Sequence, residues 1–226
     1  MASLLILNAQ VLVTMDRTRR EIAGGWLFAR DGEISALGGS GGEAYVAMAD
    51  QVIDAKGCLV TPGLVNTHHH LCQNLTRTIA QDAPLFGWLT TLYPIWARMG
   101  PDAVRISAML GLSELALSGC TCSSDHLYLY PNGSRLDDTI DAARAVGVRL
   151  HATHGSMSIG ESQGGLPPDS LVLPEDVILK EGVRLIDTHH DPRPGAMIRV
   201  ALAPCSPFSV SQDLMRETAL LARDKG

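Results

Sequence analysis

The stretch TPGLVNTHHH, residues 61–70, decides the fold of this 226-residue chain. A short apolar segment follows the turn at Pro62–Gly63 and ends in three consecutive histidines. Neighbouring side chains of an extended strand alternate between two faces, so His68 and His70 share one face and His69 lies on the other. Two imidazoles at alternate positions can reach one metal ion. The stretch therefore predicts a pair of metal ligands at the end of a strand.

The chain before this stretch is a succession of short β-strand signals. The predicted strands cover residues 4–6, 11–13, 26–29, 34–37, 52–54 and 58–60. The Asp31–Gly32 pair between two apolar stretches predicts a hairpin, because glycine tolerates the positive φ that such tight turns require. We therefore interpret residues 1–60 as a small β module.

Beyond residue 61, short apolar strands alternate with amphipathic helices. The predicted strands cover residues 64–67, 121–125, 148–153 and 198–203. The predicted helices cover about residues 84–98, 102–118, 136–146 and 174–189, and a last helix begins at Ser211. Such alternation predicts an α/β domain with a parallel sheet and right-handed crossovers.

Composition and charge exclude several classes of protein. An apolar fraction of 46% predicts a folded core and argues against disorder. The net charge of −6 argues against a nucleic-acid partner. No apolar run is long enough to span a membrane, and we expect no signal peptide. The five cysteines lie scattered in apolar runs, which predicts free thiols and a cytoplasmic location.

The residues around the histidines carry a resemblance to a known family. Residues 58–70 are similar to the signature of the amidohydrolase superfamily, in which a strand and Pro-Gly precede His-x-His. More specifically, the chain resembles the branch that contains the 8-oxoguanine deaminases and hydroxyatrazine hydrolases. The segments that carry this closer resemblance are residues 70–77, 86–89, 155–158, 163–168 and 203–209.

The resemblance implies an α/β fold: a (β/α)8 TIM barrel preceded by an N-terminal β-sandwich module, with one divalent metal ion, expected to be zinc. It implies that His68 and His70 bind the metal, that Gln73 contacts the purine edge and that Cys205 lies near the 8-oxo group. Plain structural roles stay open for Gln73, as a surface residue, and for Cys205, as a buried apolar one. The implied reaction is hydrolytic deamination of 8-oxoguanine to urate and ammonia, with water activated by the metal.

The chain departs from the family pattern in length. A TIM barrel takes about 250 residues by itself, whereas residues 61–226 offer about four βα units, the first half of a barrel. We therefore expect a truncated barrel after a partial β-sandwich at 1–60. The remaining metal ligands and the catalytic Glu, His and Asp are expected beyond Gly226, so this chain alone is predicted to be inactive. His154 stands where this branch would have arginine, which argues against the specific substrate.

Several alternatives stay open at this point. Within the enzyme class they are guanine deaminase and hydroxy-s-triazine aminohydrolase activities, each with a small purine-like substrate. A different class is a non-catalytic half-barrel that self-associates into a homo-oligomer, because exposed sheet edges need covering. The pair Asp125–His126 at the end of the second strand could be a polar support, but ordinary structure is the favoured interpretation. His189 and His190 are interpreted as exposed residues at a helix end.

Overall fold

The computed structural model describes residues 2–226, which divide into two compact units. The first unit ends at Gly63, and the second runs from Leu64 to Gly226. Among the described residues, no helix is long and apolar enough to cross a membrane.

The first unit is built on one five-stranded mixed sheet. Its strands are β1 (Ser3–Val13), β2 (Glu21–Arg30), β3 (Glu33–Gly38), β4 (Gln51–Asp54) and β5 (Leu59–Val60). The order is β3-β2-β1-β4, and β5 pairs with the later part of β1, at Val11 and Leu12. The hairpin prediction is confirmed: β2 and β3 are antiparallel, and Asp31 and Gly32 have φ angles of 56° and 84°.

The two strands predicted at residues 4–6 and 11–13 are a single strand, so that prediction is wrong. A β-bulge between Ile6 and Ala9 contains the polar Asn8, which has a φ of 60°. On both sides of this bulge β1 pairs with β2. The core of this unit packs under a 3-10 helix, Gly42–Met48.

The second unit confirms the predicted α/β class. Its four parallel strands lie in chain order: β6 (Leu64–Asn66), β7 (Cys120–Leu127), β8 (Arg149–Ser156) and β9 (Ile198–Pro204). Its helices are α1 (Leu85–Trp96), α2 (Pro101–Leu117), α3 (Leu136–Val146), α4 (Glu175–His189) and α5 (Gln212–Lys225). A helix separates each strand from the next, as parallel pairing requires.

The core of the second unit anchors the segment that follows the histidines. Trp96 is completely buried, and its indole Nε1–H donates a 3.0 Å hydrogen bond to the Thr76 hydroxyl. Thr76 closes the 3-10 helix Leu71–Thr76, which begins directly after His70. The core therefore holds the far end of this short helix in place.

The two histidines at the end of α4 are not exposed, so that prediction is wrong. The His189 side chain is only 9% exposed, and its Nε2 lies 3.0 Å from a carboxylate oxygen of Asp137 on α3. His190 Nδ1 accepts a 3.1 Å hydrogen bond from the backbone N–H of Val200. The two imidazoles thus bond the end of α4 to α3 and to β9.

Candidate active site

The three histidines follow the carboxyl end of β6, and hydrogen bonds join this segment to the neighbouring strand β7. The regular pairing of β6 with β7 ends at Asn66 and Ser123. Side-chain and main-chain bonds continue it: Ser124 Oγ donates to the Thr67 carbonyl at 3.2 Å, and the His126 N–H donates to the His69 carbonyl at 2.9 Å. The local path of the histidine segment is therefore set by its neighbouring strand.

His68 and His70 lie side by side, as the alternation of side chains predicts. Their ring centroids are 5.1 Å apart and the rings are perpendicular. His70 Nδ1 lies 2.8 Å from the carbonyl oxygen of His126. Because a carbonyl oxygen can only accept, Nδ1 carries the proton, and Nε2 of the neutral ring keeps a free lone pair. Burial lowers the pKa of His70, which favours this neutral form near pH 7.

Gln73 is brought beside this histidine pair. Its amide Nε2 lies 3.1 Å from the hydroxyl of Tyr128, just beyond the end of β7. The Tyr128 ring stands edge-on to His70 with 5.3 Å between centroids. Burial raises the pKa of Tyr128, so its hydroxyl is neutral at physiological pH. The side chains that follow β6 and β7 thus meet at one edge of the sheet.

A cavity of about 540 Å³ lies between the histidine segment and α2. All three histidines and Gln73 line it. On the α2 side it is lined by Glu114, which is bound by both guanidinium nitrogens of Arg77 at 2.8 and 2.9 Å. The cavity is large enough for a small ligand in contact with imidazole and amide groups.

His126 belongs to this group of side chains, although the sequence favoured a plain structural role. Its ring lies 5.3 Å from that of His70, and its Nε2 donates a 3.0 Å hydrogen bond to the Ala203 carbonyl at the end of β9. The available signal was its place at the end of a parallel strand, next to a buried acid. Burial lowers the pKa of His126, so this ring is also neutral near pH 7.

Neither Cys205 nor His154 is among the residues that line the 540 Å³ cavity. Cys205 follows β9, and its N–H donates to the Ser156 carbonyl at 3.0 Å. His154 is 2% exposed and faces α4, with Nε2 at 3.3 Å from the Ile178 carbonyl and Nδ1 at 2.8 Å from the Tyr130 hydroxyl.

The histidine pair by itself falls short of a catalytic metal site. Within residues 2–226, no group of three or more His, Cys, Asp or Glu side chains is placed to hold a metal ion. His126 is close to His70, but its Nε2–H is committed to Ala203. A catalytic zinc site takes three protein ligands. The chemistry of His68 and His70, two imidazoles from one strand end, fits two of these positions.

Gly155 on β8 gives the His126 ring its space. A Cβ at this position would lie 2.5 Å from the Leu127 carbonyl oxygen, 2.6 Å from Tyr128 Cβ and 2.7 Å from His126 Nε2. We expect Gly155→Ala to lower the free energy of unfolding by about 1–3 kcal/mol through overpacking. Urea unfolding followed by circular dichroism measures this. Gly87→Ala in α1 is the matched control, because a Cβ there lies 3.7–3.8 Å from its nearest neighbours, and it should not destabilise the chain. An equal loss of unfolding free energy in the two variants would contradict the prediction.

Comparison with known proteins places these residues in a family. Residues 59–226 match the model of the amidohydrolase family. The 8-oxoguanine deaminase of Pseudomonas aeruginosa is 47% identical over 206 residues, which are 88% of this chain and 45% of that protein. The hydroxydechloroatrazine ethylaminohydrolase of Pseudomonas sp. strain ADP is 34% identical over 95% of this chain and 47% of its own length.

Solved structures show the same relationship. The zinc complex of the atrazine chlorohydrolase of Arthrobacter aurescens TC1 superposes with a TM-score of 0.88 at 33% identity, covering 98% of this chain and 51% of that one. The chain thus spans about half the length of the relatives it matches. With its histidines after β6 inside the matched segment, the chain belongs to the amidohydrolase family.

Proposed function

We propose that this chain forms the N-terminal part of a metal-dependent hydrolytic deaminase that acts on an oxidised purine, 8-oxoguanine, and releases urate and ammonia. The observation that carries the proposal is the pair of adjacent imidazoles, His68 and His70, next to Gln73 at one cavity. The 47% identity to an 8-oxoguanine deaminase supports the choice of substrate.

The proposal includes a fold. We take β6–β9 with their helices as the first half of a (β/α)8 barrel, and the five-stranded sheet of the first unit as part of a β-sandwich. The parallel strands in chain order support the barrel, and so does coverage of about half of each relative. The side chains proposed for the site follow the carboxyl ends of β6 and β7, where barrels of this type carry their sites.

One divalent metal, zinc, is proposed at His68 and His70. The zinc in the Arthrobacter structure supports the choice of ion. When bound, the metal supplies Lewis-acid activation of water near neutral pH. The chain's own contribution is to keep the His70 ring neutral and oriented through its Nδ1–H bond to His126, an outer contact that typically accompanies histidine ligands. The further ligands and the catalytic Glu, His and Asp are proposed to lie outside residues 1–226.

Gln73 and Cys205 are proposed to recognise the substrate. An amide offers both a donor and an acceptor to a purine edge, and the bond to Tyr128 holds the Gln73 amide in one orientation. Burial raises the pKa of the Cys205 thiol, so it would meet an 8-oxo group as a neutral, weak donor. A hydroxy-s-triazine is the competing substrate, because the chain is 34% identical to the hydroxydechloroatrazine ethylaminohydrolase of Pseudomonas sp. strain ADP.

Ammonia release tests the proposal with the product of the complete coding sequence, using 8-oxoguanine, guanine and hydroxyatrazine as substrates. We expect turnover of 8-oxoguanine in preference to the other two, and no turnover by residues 1–226 alone. His70→Ala should lower kcat/KM by at least about a hundredfold, because a metal ligand is lost. Efficient turnover of hydroxyatrazine without turnover of 8-oxoguanine would refute the substrate, and an unaffected His70→Ala variant would refute the site.

A further inference from the structure

Asp125 is a buried carboxyl that the proposed chemistry does not use. It lies on β7, is 0% exposed, and accepts a 2.7 Å hydrogen bond at Oδ1 from the backbone N–H of Leu71. Its other oxygen, Oδ2, has no hydrogen-bond partner among residues 2–226. A carboxyl is a costly group to bury with one oxygen unsatisfied. Its single bond is therefore the feature that needs an explanation.

The partner of this bond is the residue directly after His70. At Leu71 the backbone changes from the extended histidine segment to the 3-10 helix Leu71–Thr76. The N–H groups that begin a helix have no partner within it. In the buried environment of Leu71, which is itself 0% exposed, such an N–H requires an acceptor from elsewhere in the chain. Asp125 supplies that acceptor.

The bond is one of three that join consecutive residues of the histidine segment to two consecutive residues of β7. His126 N–H binds the His69 carbonyl, His70 Nδ1–H binds the His126 carbonyl, and Leu71 N–H binds Asp125. Two of the three use the main chain of β7 and would form with any residue there. The third depends on the side chain at position 125.

We infer that Asp125 is a positioning residue: its Oδ1 fixes the backbone at Leu71 and thereby the placement of His70 against His68. The inference rests on the proposed metal site. Burial raises the pKa of Asp125 to about 7, which agrees with a group kept for its acceptor oxygen rather than for its charge. The acceptor is the property that matters, so asparagine should replace aspartate and leucine should not.

The test compares Asp125→Asn, which keeps an oxygen near the Leu71 N–H, with Asp125→Leu, which has similar size and no acceptor. Zn²⁺ affinity of the 226-residue chain is measured by titration calorimetry, with His70→Ala defining the background. We expect Asp125→Leu to weaken the specific Zn²⁺ binding by about tenfold or more, and Asp125→Asn by less than about threefold. Leu150→Ala, which removes buried volume from β8, is the matched control and should leave the affinity unchanged.

A second readout needs no metal. The ¹⁵N resonances of the His70 ring report its tautomer, and we expect the Nδ1–H form in the natural chain and in Asp125→Asn but a mixture in Asp125→Leu. Should Asp125→Leu not fold, as judged by circular dichroism, the smaller Asp125→Ala takes its place. A folded variant without the acceptor that keeps both the Zn²⁺ affinity and the tautomer would overturn the inference. So would equal losses in Asp125→Asn and Asp125→Leu.

The two readouts separate the inference from the proposed function. If the natural chain shows no Zn²⁺ binding above the His70→Ala background, the metal site is refuted. The tautomer of His70 still tests Asp125 in that case, because the bond to His126 forms without metal. A tautomer that changes in Asp125→Leu and persists in Asp125→Asn would then support positioning of His70 alone.

Discussion

Asp125→Asn is expected to make the chain more stable than the natural protein at alkaline pH, and the gain should vanish in acid. Burial raises the pKa of Asp125 from 3.8 to about 7. Below pH 3.8 the carboxyl is protonated in both the folded and the unfolded chain, so it does not change the unfolding free energy with pH. Between pH 3.8 and about 7 the folded chain keeps a proton that the unfolded chain releases, so stability falls as the pH rises.

The expected size follows from 1.36 kcal/mol for each unit of pKa difference, about 4 kcal/mol in total above pH 7. Asparagine removes this titration. The difference in unfolding free energy between Asp125→Asn and the natural chain should therefore grow by about 4 kcal/mol between acid and pH 8. Urea unfolding with a chelator present measures it. Circular dichroism of helices is the suitable signal, because α1–α5 all lie in the second unit.

Thr139→Val is the control for this experiment. The Thr139 hydroxyl on α3 is buried and has no hydrogen-bond partner among the described residues, as is true of Asp125 Oδ2. It does not titrate, so its replacement should shift stability by the same amount at every pH. A difference for Asp125→Asn that does not change with pH would show that the carboxyl is not held in its neutral form.

Sequence reasoning reached the histidine pair because the information is local. Alternation along a strand places His68 and His70 on one face whatever the rest of the chain does. Asp125 and His126 were interpreted as ordinary structure for the opposite reason. Their roles depend on the register of β6 against β7, where Asn66 lies opposite Ser123, and pairing of residues more than fifty positions apart leaves no mark in either segment alone.

The same distinction separates the other correct and incorrect expectations. The last helix was predicted from the apolar face formed by its own residues; it runs from Gln212, and Ser211 Oγ accepts the Leu214 N–H at 2.9 Å. The burial of His189 depends on Asp137, fifty-two positions away in the chain. A residue whose partner is distant in sequence looks like an exposed polar group until the fold brings the partner to it.

His154→Gln is expected to produce the pH dependence opposite to that of Asp125→Asn. Burial against α4 lowers the pKa of His154 from 6.5 to about 4. The neutral ring has a polar neighbour on both sides, because Nε2 lies 3.3 Å from the Ile178 carbonyl and Nδ1 lies 2.8 Å from the Tyr130 hydroxyl. Above pH 6.5 the histidine is neutral in both states. Between pH 6.5 and about 4 only the unfolded chain binds a proton, so stability falls as the pH falls.

The expected loss is about 3 kcal/mol on going from neutral pH to pH 4. His154→Gln should be less stable than the natural chain at neutral pH, where a packed ring is lost, and should recover by about 3 kcal/mol relative to it at pH 4. Tyr130→Phe keeps the buried imidazole and should retain the natural pH dependence. If His154→Gln showed no such recovery in acid, the imidazole would have to be protonated inside the folded protein.

Between pH 4 and 6.5 the titration of Asp125 lowers the stability as the pH rises, whereas the titration of His154 raises it. The two contributions therefore offset each other in the natural chain. The difference in stability between the natural chain and the double variant Asp125→Asn/His154→Gln should therefore vary little with pH across this range, because other titrating groups such as His70 and His126 contribute equally to both. The contributions of Asp125 and His154 should add independently, because burial is the main cause of both pKa shifts. A double variant whose slope differs from the sum of the single ones would show that the two sites are coupled.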